Sequence, residues 1–422
     1  MHAPLVANSA APQTAVATGG LKIGLLADNY PDSGGAGGIG TYTKIVAEEL
    51  ARLGHDAHVF TLAPVPRHRC RRLNGISLWE CPDWTRRREM PAPNALEFTC
   101  RHRNRAEFLT RYSLQVAVRR ACRSGVFDLI ESPEFGALGE LVVGRGYCRR
   151  LAVRLHKPLN LPFRFPGAPP TPPWAPIDGW ERDLAMSADA ITVPTHDALR
   201  AISEFWGKPL ARAKVVASPM DFYPWQPVKP LRPHSAVFFG RLEPRKGADT
   251  LARAIPIVRK VFGDFVVTFI GSNVDWTAGR SGMDVLTSIG RDGGFQDAMQ
   301  FVGQTPHSQL AALVRQSAVC VLPSRAETFG VAFAEAMMWG VPCVASDIGP
   351  FRELASHGEH CLFAGTEDPA EFAEDIIALL SDPARAAAMA AGGYAHVQQW
   401  LADRVVSQLL SAWGVAPIAP DA

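Results

Sequence analysis

The sequence predicts an α/β protein built as two doubly wound domains that face each other across a cleft. Three observations predict it. Short apolar runs alternate with amphipathic stretches along nearly the whole chain, the order of a parallel sheet with helical crossovers. At 422 residues the chain exceeds one ordinary hydrophobic core. A proline-rich stretch, Val215 to Pro233 with five prolines, separates two such series. The expected division is a disordered leader over 1–20, a first domain over 21–215, a linker over 216–233, a second domain over 234–395 and a closing helical segment over 396–422.

Composition narrows the function classes. The formal net charge is +2, which gives no global case for nucleic acid. The eight cysteines are scattered without a C-x-x-C pair, which argues against a structural zinc site and for reduced, cytosolic thiols. Residues 1–20 are rich in Ala, Thr and Pro and lack a basic start and an apolar run, so they read as a leader rather than a signal peptide. No stretch approaches the ~18 consecutive apolar residues of a membrane span. The expected location is the cytoplasm.

In the first half, Leu21 to Ala27 is a buried strand. A glycine-rich loop follows from Asp28 to Gly40, and Thr41 to Leu53 is an amphipathic helix ended by Gly54. Ala57 to Leu62 is the second strand. Gly35, Gly37 and Gly40 match the G-x-G-x-x-G dinucleotide fingerprint. Two features weaken that match: Asp28 to Gly34 separate it from the strand, and no acid closes the second strand to hold a ribose. A loop without side chains before a helix N-terminus still suits a phosphate-bearing or sugar ligand, with a plain glycine turn as the alternative.

Arg67 to Arg123 holds fourteen arginines against five acids, with Trp79, Trp84, Phe98 and Phe108 interleaved. That mixture suits an anionic lipid surface or an anionic acceptor, and a solvated arginine-rich face is the alternative. Phe127 to Ser132 is a strand with Glu131 and Glu134 at its C-terminal end, where open sheets bind ligands. Leu151 to Leu155 is another, and it delivers His156 in the same way. The loop from Lys157 to Pro176 carries eight prolines, and at that length it is expected to be functional. Ile177 to Met186 reads as helix and Ala190 to Pro194 as the last strand of this half.

The second half opens with a strand, Ala236 to Gly240, that runs into Arg241, Arg245, Lys246 and a helix from Ala248 to about Lys260. Cations at a helix start fit a phosphate ligand, and Arg241 can bond two oxygens at once. Strands at Phe265 to Ile270, Gln300 to Val302 and Ala318 to Leu322 follow, the last two separated by a helix over Ser308 to Gln316. The stretch from Cys320 to Asp347 then reads as strand, loop, helix and strand. Glu327 precedes its helix, Val331 to Trp339, and Glu335 lies inside it. The free N–H groups near Gly330 and Val331 attract anions. An acid there suits sugar hydroxyls, although Glu327 also reads as a helix N-terminal acid and Glu335 as a surface residue. Helices over Pro369 to Leu380, Pro383 to Gln399 and Trp400 to Trp413 complete the chain.

Four segments together resemble glycosyltransferase family 4, the glycosyl transferases group 1, over nearly the whole chain from Leu21. GRLEPRKG at 240–247 is similar to the family's GR-x₃-KG segment, and ETFGVAFAE at 327–335 to its paired glutamates. GVPCVASDIGPFRELASHG at 340–358 is similar to its strand and glycine loop, and GGIGTYTKIVAEELARLGHDAHVFT at 37–61 to its N-terminal loop and helix. SPMDF at 218–222 departs from the family's common Asn-Gly-x-Asp segment.

The resemblance implies a GT-B fold of two Rossmann-like domains, acceptor-binding first and nucleotide-sugar-binding second, with the last segment crossing back onto the first. It implies a retaining hexosyltransferase using a nucleotide-sugar donor and a glycan, lipid-linked or small-molecule acceptor. Arg241 and Lys246 would bind the donor diphosphate, the backbone at Gly330 and Val331 its phosphate, and Gly38 would close over the donor. Glu327 would contact the transferred sugar, Glu335 the nucleotide ribose, and His156 the sugar and acceptor.

Loss of a nucleoside diphosphate needs positive charge on the leaving group. The chain has no D-x-D triplet, so Arg241, Lys246 and a helix N-terminus are expected to serve without a metal or other cofactor. Two rival readings remain at this point: a nucleotide-dependent oxidoreductase using the glycine loop, and a non-catalytic sugar-nucleotide-binding subunit. Peripheral docking at an anionic inner membrane face through the Arg67 to Arg123 region is a further expectation.

Overall fold

A computed structural model of the chain describes residues 20–33, 37–83, 105–162, 175–277 and 279–415. The leader over 1–19, Gly35 of the glycine loop and 163–174 of the proline-rich loop lie outside the described residues. The first sheet has eight strands: β1 (Lys22–Ala27), β2 (Asp56–Ala63), β3 (Arg69–Leu73), β4 (Ile76–Pro82), β5 (Phe127–Pro133), β6 (Cys148–Arg154), β7 (Ala190–Val193) and β8 (Ala213–Val215). They lie in the order 3-4-2-1-5-6-7-8, and every neighbouring pair is parallel except β3 with β4. Among the described residues four helices return the chain between strands: α1 (Gly38–Arg52), α2 (Arg105–Ala121), α3 (Ala175–Ser187) and α4 (His196–Trp206).

The second sheet has six parallel strands, β9 (Ser235–Phe239), β10 (Val266–Ile270), β13 (Met299–Gly303), β14 (Val319–Leu322), β15 (Cys343–Ser346) and β16 (Leu362–Ala364), in the order 13-10-9-14-15-16. Between β10 and β13 lies a small hairpin of β11 (Asp275–Thr277) and β12 (Arg280–Ser281). Its helices are α5 (Ala248–Arg259), α6 (Gly282–Asp292), α7 (His307–Val314), α8 (Val331–Met338), α9 (Gly349–Leu354), α10 (Pro369–Ser381), α11 (Pro383–Val397) and α12 (Ala402–Trp413). In both sheets the order reverses at the first strand of the series, β1 and β9. That reversal opens a crevice at the C-terminal strand ends, where ligands of doubly wound sheets bind.

The structure changes several sequence expectations. Helix α1 begins at Gly38, three residues before Thr41, because Gly37 turns the chain at a φ of 152° and Gly40 packs against Asn29. The arginine-rich stretch contains the hairpin of β3 and β4, in which Arg69 and Arg71 both reach the Glu80 carboxylate. The strand that starts at Ala190 is not the last of this half: α4 and β8 follow it. Helix α6 carries a start signal that composition alone conceals, a reciprocal cap between Ser281 and Asp284.

One buried cluster runs through both halves. It joins Tyr42, Val46 and Leu50 of α1 to Val216 and Met220 of the hinge, and to Trp400, Val406, Leu410 and Trp413 at the C-terminus. Helix α12 packs on α1 and β7, so the last helix belongs to the first domain's surface. The Met220 N–H donates to Trp400 O at 2.8 Å and Met220 O accepts from Ala402 N–H at 3.1 Å, which fastens the hinge to the returning chain.

Two neighbouring strands of the second sheet, β9 and β10, come very close at their ends. Gly271, just past β10, has a φ of 150°, and a Cβ there would lie 1.8 Å from Gly240 O. Gly271→Ala must therefore part the ends of β9 and β10. The expected cost is roughly 2–4 kcal/mol, read as a fall in melting temperature of roughly 5–10 °C. A shift below about 2 °C would contradict this close approach.

Candidate functional site

The second domain brings three loops to one edge. After β9, Gly240 takes a φ of 146° and Arg241 to Gly247 turn back into α5. A Cβ at Gly247 would lie 1.8 Å from Pro323 O, so this turn rests directly on the loop after β14. Arg325 stitches the two loops: its N–H donates to Arg245 O at 2.8 Å, and its guanidinium reaches Asp249 at 2.8 and 2.9 Å and Glu367 at 2.7 Å. Such a scaffold holds side chains more tightly than a free loop would.

On that scaffold lies an alternating chain of charges. Glu243 Oε1 pairs with Arg241 at 3.2 Å and with Arg245 at 2.6 Å. Arg245 Nη1 donates to Glu327 Oε2 at 2.9 Å, and Lys246 Nζ to Glu327 Oε1 at 2.5 Å. Ser324 Oγ adds a bond to Glu327 at 3.0 Å. Burial alone would raise the Glu327 pKa, but Lys246 and Arg245 outweigh it and hold the carboxyl at about 2. Burial, with Arg245 adding to it, pushes the Lys246 pKa down against the pull of Glu327. Arg241 differs from these: its side chain is 59% exposed at the rim.

Directly after Glu327 and Thr328, helix α8 starts. Gly330 caps it at a φ of 105°, and a Cβ there would lie 2.4 Å from the Phe351 ring. No side chain bonds the cap, so the first N–H groups from Val331 face the loop edge with the helix's positive end. Glu335, one turn on, is buried and accepts from His307 Nε2 at 2.6 Å. His307 opens α7, and its bond with Glu335 raises its pKa.

The first domain contributes His156, one residue beyond Leu155 after β6. Its N–H donates to the Glu134 carboxylate, 2.8 Å from each oxygen, and its ring meets the Tyr42 ring edge-on at 5.1 Å. Burial, with Arg154 nearby, pushes its pKa well down, so the imidazole is neutral. Gly38 lies exposed at the start of α1, with no atom of the described residues within 4 Å of the point where a Cβ would sit. Two of the first domain's acids lie too deep to touch a ligand. Glu131 accepts from Tyr42 Oη at 3.1 Å, and Glu134 is wholly buried beneath His156.

The domains touch at this edge. Thr195, after β7, donates from Oγ1 to Thr328 O at 2.8 Å. Lys157 lies close enough to Arg245 and Glu243 for both to act on its charge. So Arg241, Lys246, Glu327, Gly330 and Val331 share one wall, with Glu335 behind it and His156 on the facing loop. The sequence reading missed the role of Arg245, which sits inside the family segment but bonds Glu327 as Lys246 does. It also missed Glu181, a buried acid whose carboxylate accepts from Gly136 N–H at 2.8 Å and from Leu159 N–H at 3.0 Å, bracing the His156 loop. Neither residue carries a spacing signal. Among the described residues no helix is long and apolar enough to cross a membrane, and no group of three or more His, Cys, Asp or Glu is placed to hold a metal ion.

Comparison with known proteins follows the same lines. The family described as Glycosyl transferases group 1 matches residues 220–396, and the Glycosyl transferase 4-like domain matches residues 37–219. The chain is 28% identical over 405 residues to D-inositol 3-phosphate glycosyltransferase 1 of Catenulispora acidiphila, covering 91% of this chain and 92% of that one. It is 28% identical over 214 residues to a Mycobacterium tuberculosis glycogen synthase, about half of each chain (50% and 49%). Among solved structures, the sucrose-phosphate synthase of Thermosynechococcus elongatus has a TM-score of 0.72 at 19% identity, covering 93% of this chain and 98% of that one. Anabaena HepE, solved with UDP and glucose, has a TM-score of 0.65 at 17% identity, covering 93% and 99%.

The buried acids of the first domain give a pH signature. Burial raises the pKa of Glu134 to about 7 and, with Glu134 adding repulsion, that of Glu181 to about 8. At these two sites the folded chain holds protons that the unfolded chain has released, so their contribution to stability falls as pH rises between about 5 and 8. Glu181→Gln removes one of these titrations and should make the slope of melting temperature against pH less negative over that window. An unchanged slope would count against the assignment.

Proposed function

The chain belongs to the group 1 glycosyltransferases, and from that premise we propose that it moves a hexose from a nucleotide-sugar, UDP- or GDP-linked, to a carbohydrate or lipid-linked acceptor with retention at the anomeric carbon. Family membership removes the oxidoreductase reading. The observation that carries the proposal is the charge chain from Arg241 to Lys246 set beside the open N-terminus of α8.

Breaking the bond to the leaving diphosphate builds negative charge on its oxygens. Lys246, Arg241 and the N–H groups at Gly330 and Val331 lie together where that charge would develop, and preorganised donors of this kind lower such a barrier. On this reading they do so without a metal ion or other cofactor. Glu327 accepts from sugar hydroxyls, and Glu335 from the ribose. In a front-face reaction the leaving phosphate oxygen itself takes the acceptor proton, so no side chain has to act as base. His156, neutral and held by Glu134, then serves as a hydrogen-bonding partner to sugar or acceptor. Gly38 at the start of α1 lets the loop approach the donor closely. Closure of the cleft excludes water and limits hydrolysis.

The name of the Catenulispora relative makes an inositol phosphate the first acceptor to try, beside glycans and lipid-linked sugars. A panel of UDP-, GDP- and ADP-sugars, assayed for transfer with and without EDTA, with the product anomer read by proton NMR, tests donor, metal and stereochemistry together. Lys246→Ala and Arg241→Ala should each lower transfer by about 100-fold or more, with unchanged circular dichroism. Lys246→Ala leaves Glu327 its bond to Arg245, so its fold should persist. Full transfer in both variants would refute the proposal, as would an inverted product for its retaining part.

Peripheral docking is a second element of the reading. Arg67, Arg119, Arg120 and Arg123 are exposed, whereas Arg111 is buried against Glu140 and the Trp180 ring, and 84–104 lies outside the described residues. These four, with Arg69 and Arg72 also exposed beside them, would meet an anionic inner membrane face of the cytoplasm. Cosedimentation with phosphatidylserine vesicles at low salt, lost as salt rises, is the expected result. No binding at low salt would remove it.

A further inference from the structure

The strongest feature outside the donor wall is the place where the two domains meet at the start of α4. All three N–H groups of the first helical turn there are taken. The Thr195 hydroxyl accepts from Ala198 N–H at 3.1 Å. The other two, on His196 and Asp197, donate to the two oxygens of Glu353, at 2.8 and 2.7 Å. Glu353 belongs to α9 of the opposite domain, so a carboxylate from the second domain occupies the positive end of a helix in the first. The approach is close because Gly349 has no side chain: a Cβ there would lie 2.4 Å from Asp197 Oδ1 and 2.7 Å from Asp197 Cγ.

The Thr195 hydroxyl has one proton, and it goes to Thr328 O at 2.8 Å. That carbonyl sits between Glu327 and Gly330, the two ends of the turn that presents sugar and phosphate contacts in the reading above. One side chain of the first domain thus caps its own helix and pins the second domain's donor turn. Arg325 holds that turn to its own domain from the far side, through Asp249 and Glu367. The turn is braced from both sides only when the domains are together.

We propose that Thr195 and Glu353 are positioning residues that couple cleft closure to the geometry of the Glu327 to Gly330 turn. Glu353 docks the second domain on α4, and Thr195 then fixes Thr328 O. This rests on the glycosyltransferase reading of that turn, but one arm of its test needs no activity. In an Asp197→Cys, Gly349→Cys pair, mild oxidation should form a disulfide across the contact, detected as the joined peptide by mass spectrometry. Adding Glu353→Gln or Thr195→Val should slow its formation by about five-fold or more. Failure of the pair to join, or a rate indifferent to both substitutions, overturns the docking contact whatever the chain transfers.

The second arm is kinetic. Thr195→Val and Glu353→Gln should lower kcat by about ten-fold while the donor KM stays within about three-fold, because the loss is of geometry rather than of donor contacts. Thr195→Ser keeps the hydroxyl and should retain wild-type kcat within about two-fold. A Ser variant as impaired as the Val variant would show that packing, not the hydrogen bond, matters, and would overturn the proposal. So would a Val variant with normal kcat. Absence of transfer by the wild type with every donor would instead count against the glycosyltransferase reading, with the cross-linking result standing apart.

Discussion

The edge formed by the loops after β9 and β14 depends on keeping one buried carboxylate ionised. Removing Glu327 from water would by itself favour its neutral form, and a neutral acid there would leave the buried Lys246 cation uncompensated and take from Arg245 one of its two carboxylate partners. Instead the three groups satisfy one another over contacts of 2.5 and 2.9 Å. Breaking such a buried set by removing one partner is costly, whereas its net contribution to stability is small. Its value is geometric. Each loop donates one part, the turn after β9 the cations and the turn after β14 the acid, so the ionic contact sets the distance between the loops. Arg325 repeats the device one layer down with Asp249 and Glu367.

That constraint explains why so many glycines crowd the edge. Loops tied this closely leave no room for side chains between them, and Gly247, Gly271 and Gly330 each stand where a Cβ would strike a neighbour within 2.4 Å. Each also has a positive φ, which other residues resist. The glycines of the first domain's loop answer a different need. At Gly38 there is open space rather than crowding, which fits a surface meant to be approached from outside.

The layout of strands and helices was legible wherever residue pattern and local physics agree. The buried strands β1, β9, β10 and β14 are largely apolar runs, and α1 and α5 repeat with helical period. That Arg241, Lys246, Glu327 and Gly330 come together was legible because they lie in short segments, each with a chemical signature. What escaped was of two kinds. The hairpin of β3 and β4 hid within an arginine run because its polar edge strand pairs through backbone, while two of its three arginines, Arg69 and Arg71, reach one acid, Glu80. The braces Arg245, Glu181, Thr195 and Glu353 escaped because their partners are distant in sequence. Thr195 and Thr328 are 133 residues apart, and Glu353 and His196 are 157 apart. A cap signal at Thr195 is readable locally, but the use of the same hydroxyl across a cleft is not.

The charge count at the donor wall also bears on how a ligand would be held. Arg241, Arg245 and Lys246 give three positive charges, and Glu243 and Glu327 take back two, leaving one. A diphosphate entering here meets cations that are already engaged, and its gain is the difference between its own contacts and those it displaces. Arg241 is the exception, since its exposed guanidinium has the least to give up. The helix dipole of α8 is likewise uncommitted, because no side chain caps it. Those two features, rather than the deeply paired Lys246, are then the first points of contact for an anion. Lys246 joins only as Glu327 turns toward another partner, and sugar hydroxyls attached to the same diphosphate would supply that partner. A wall of this kind discriminates in favour of a ligand that carries both groups at once, because phosphate alone leaves Glu327 to compete for its lysine.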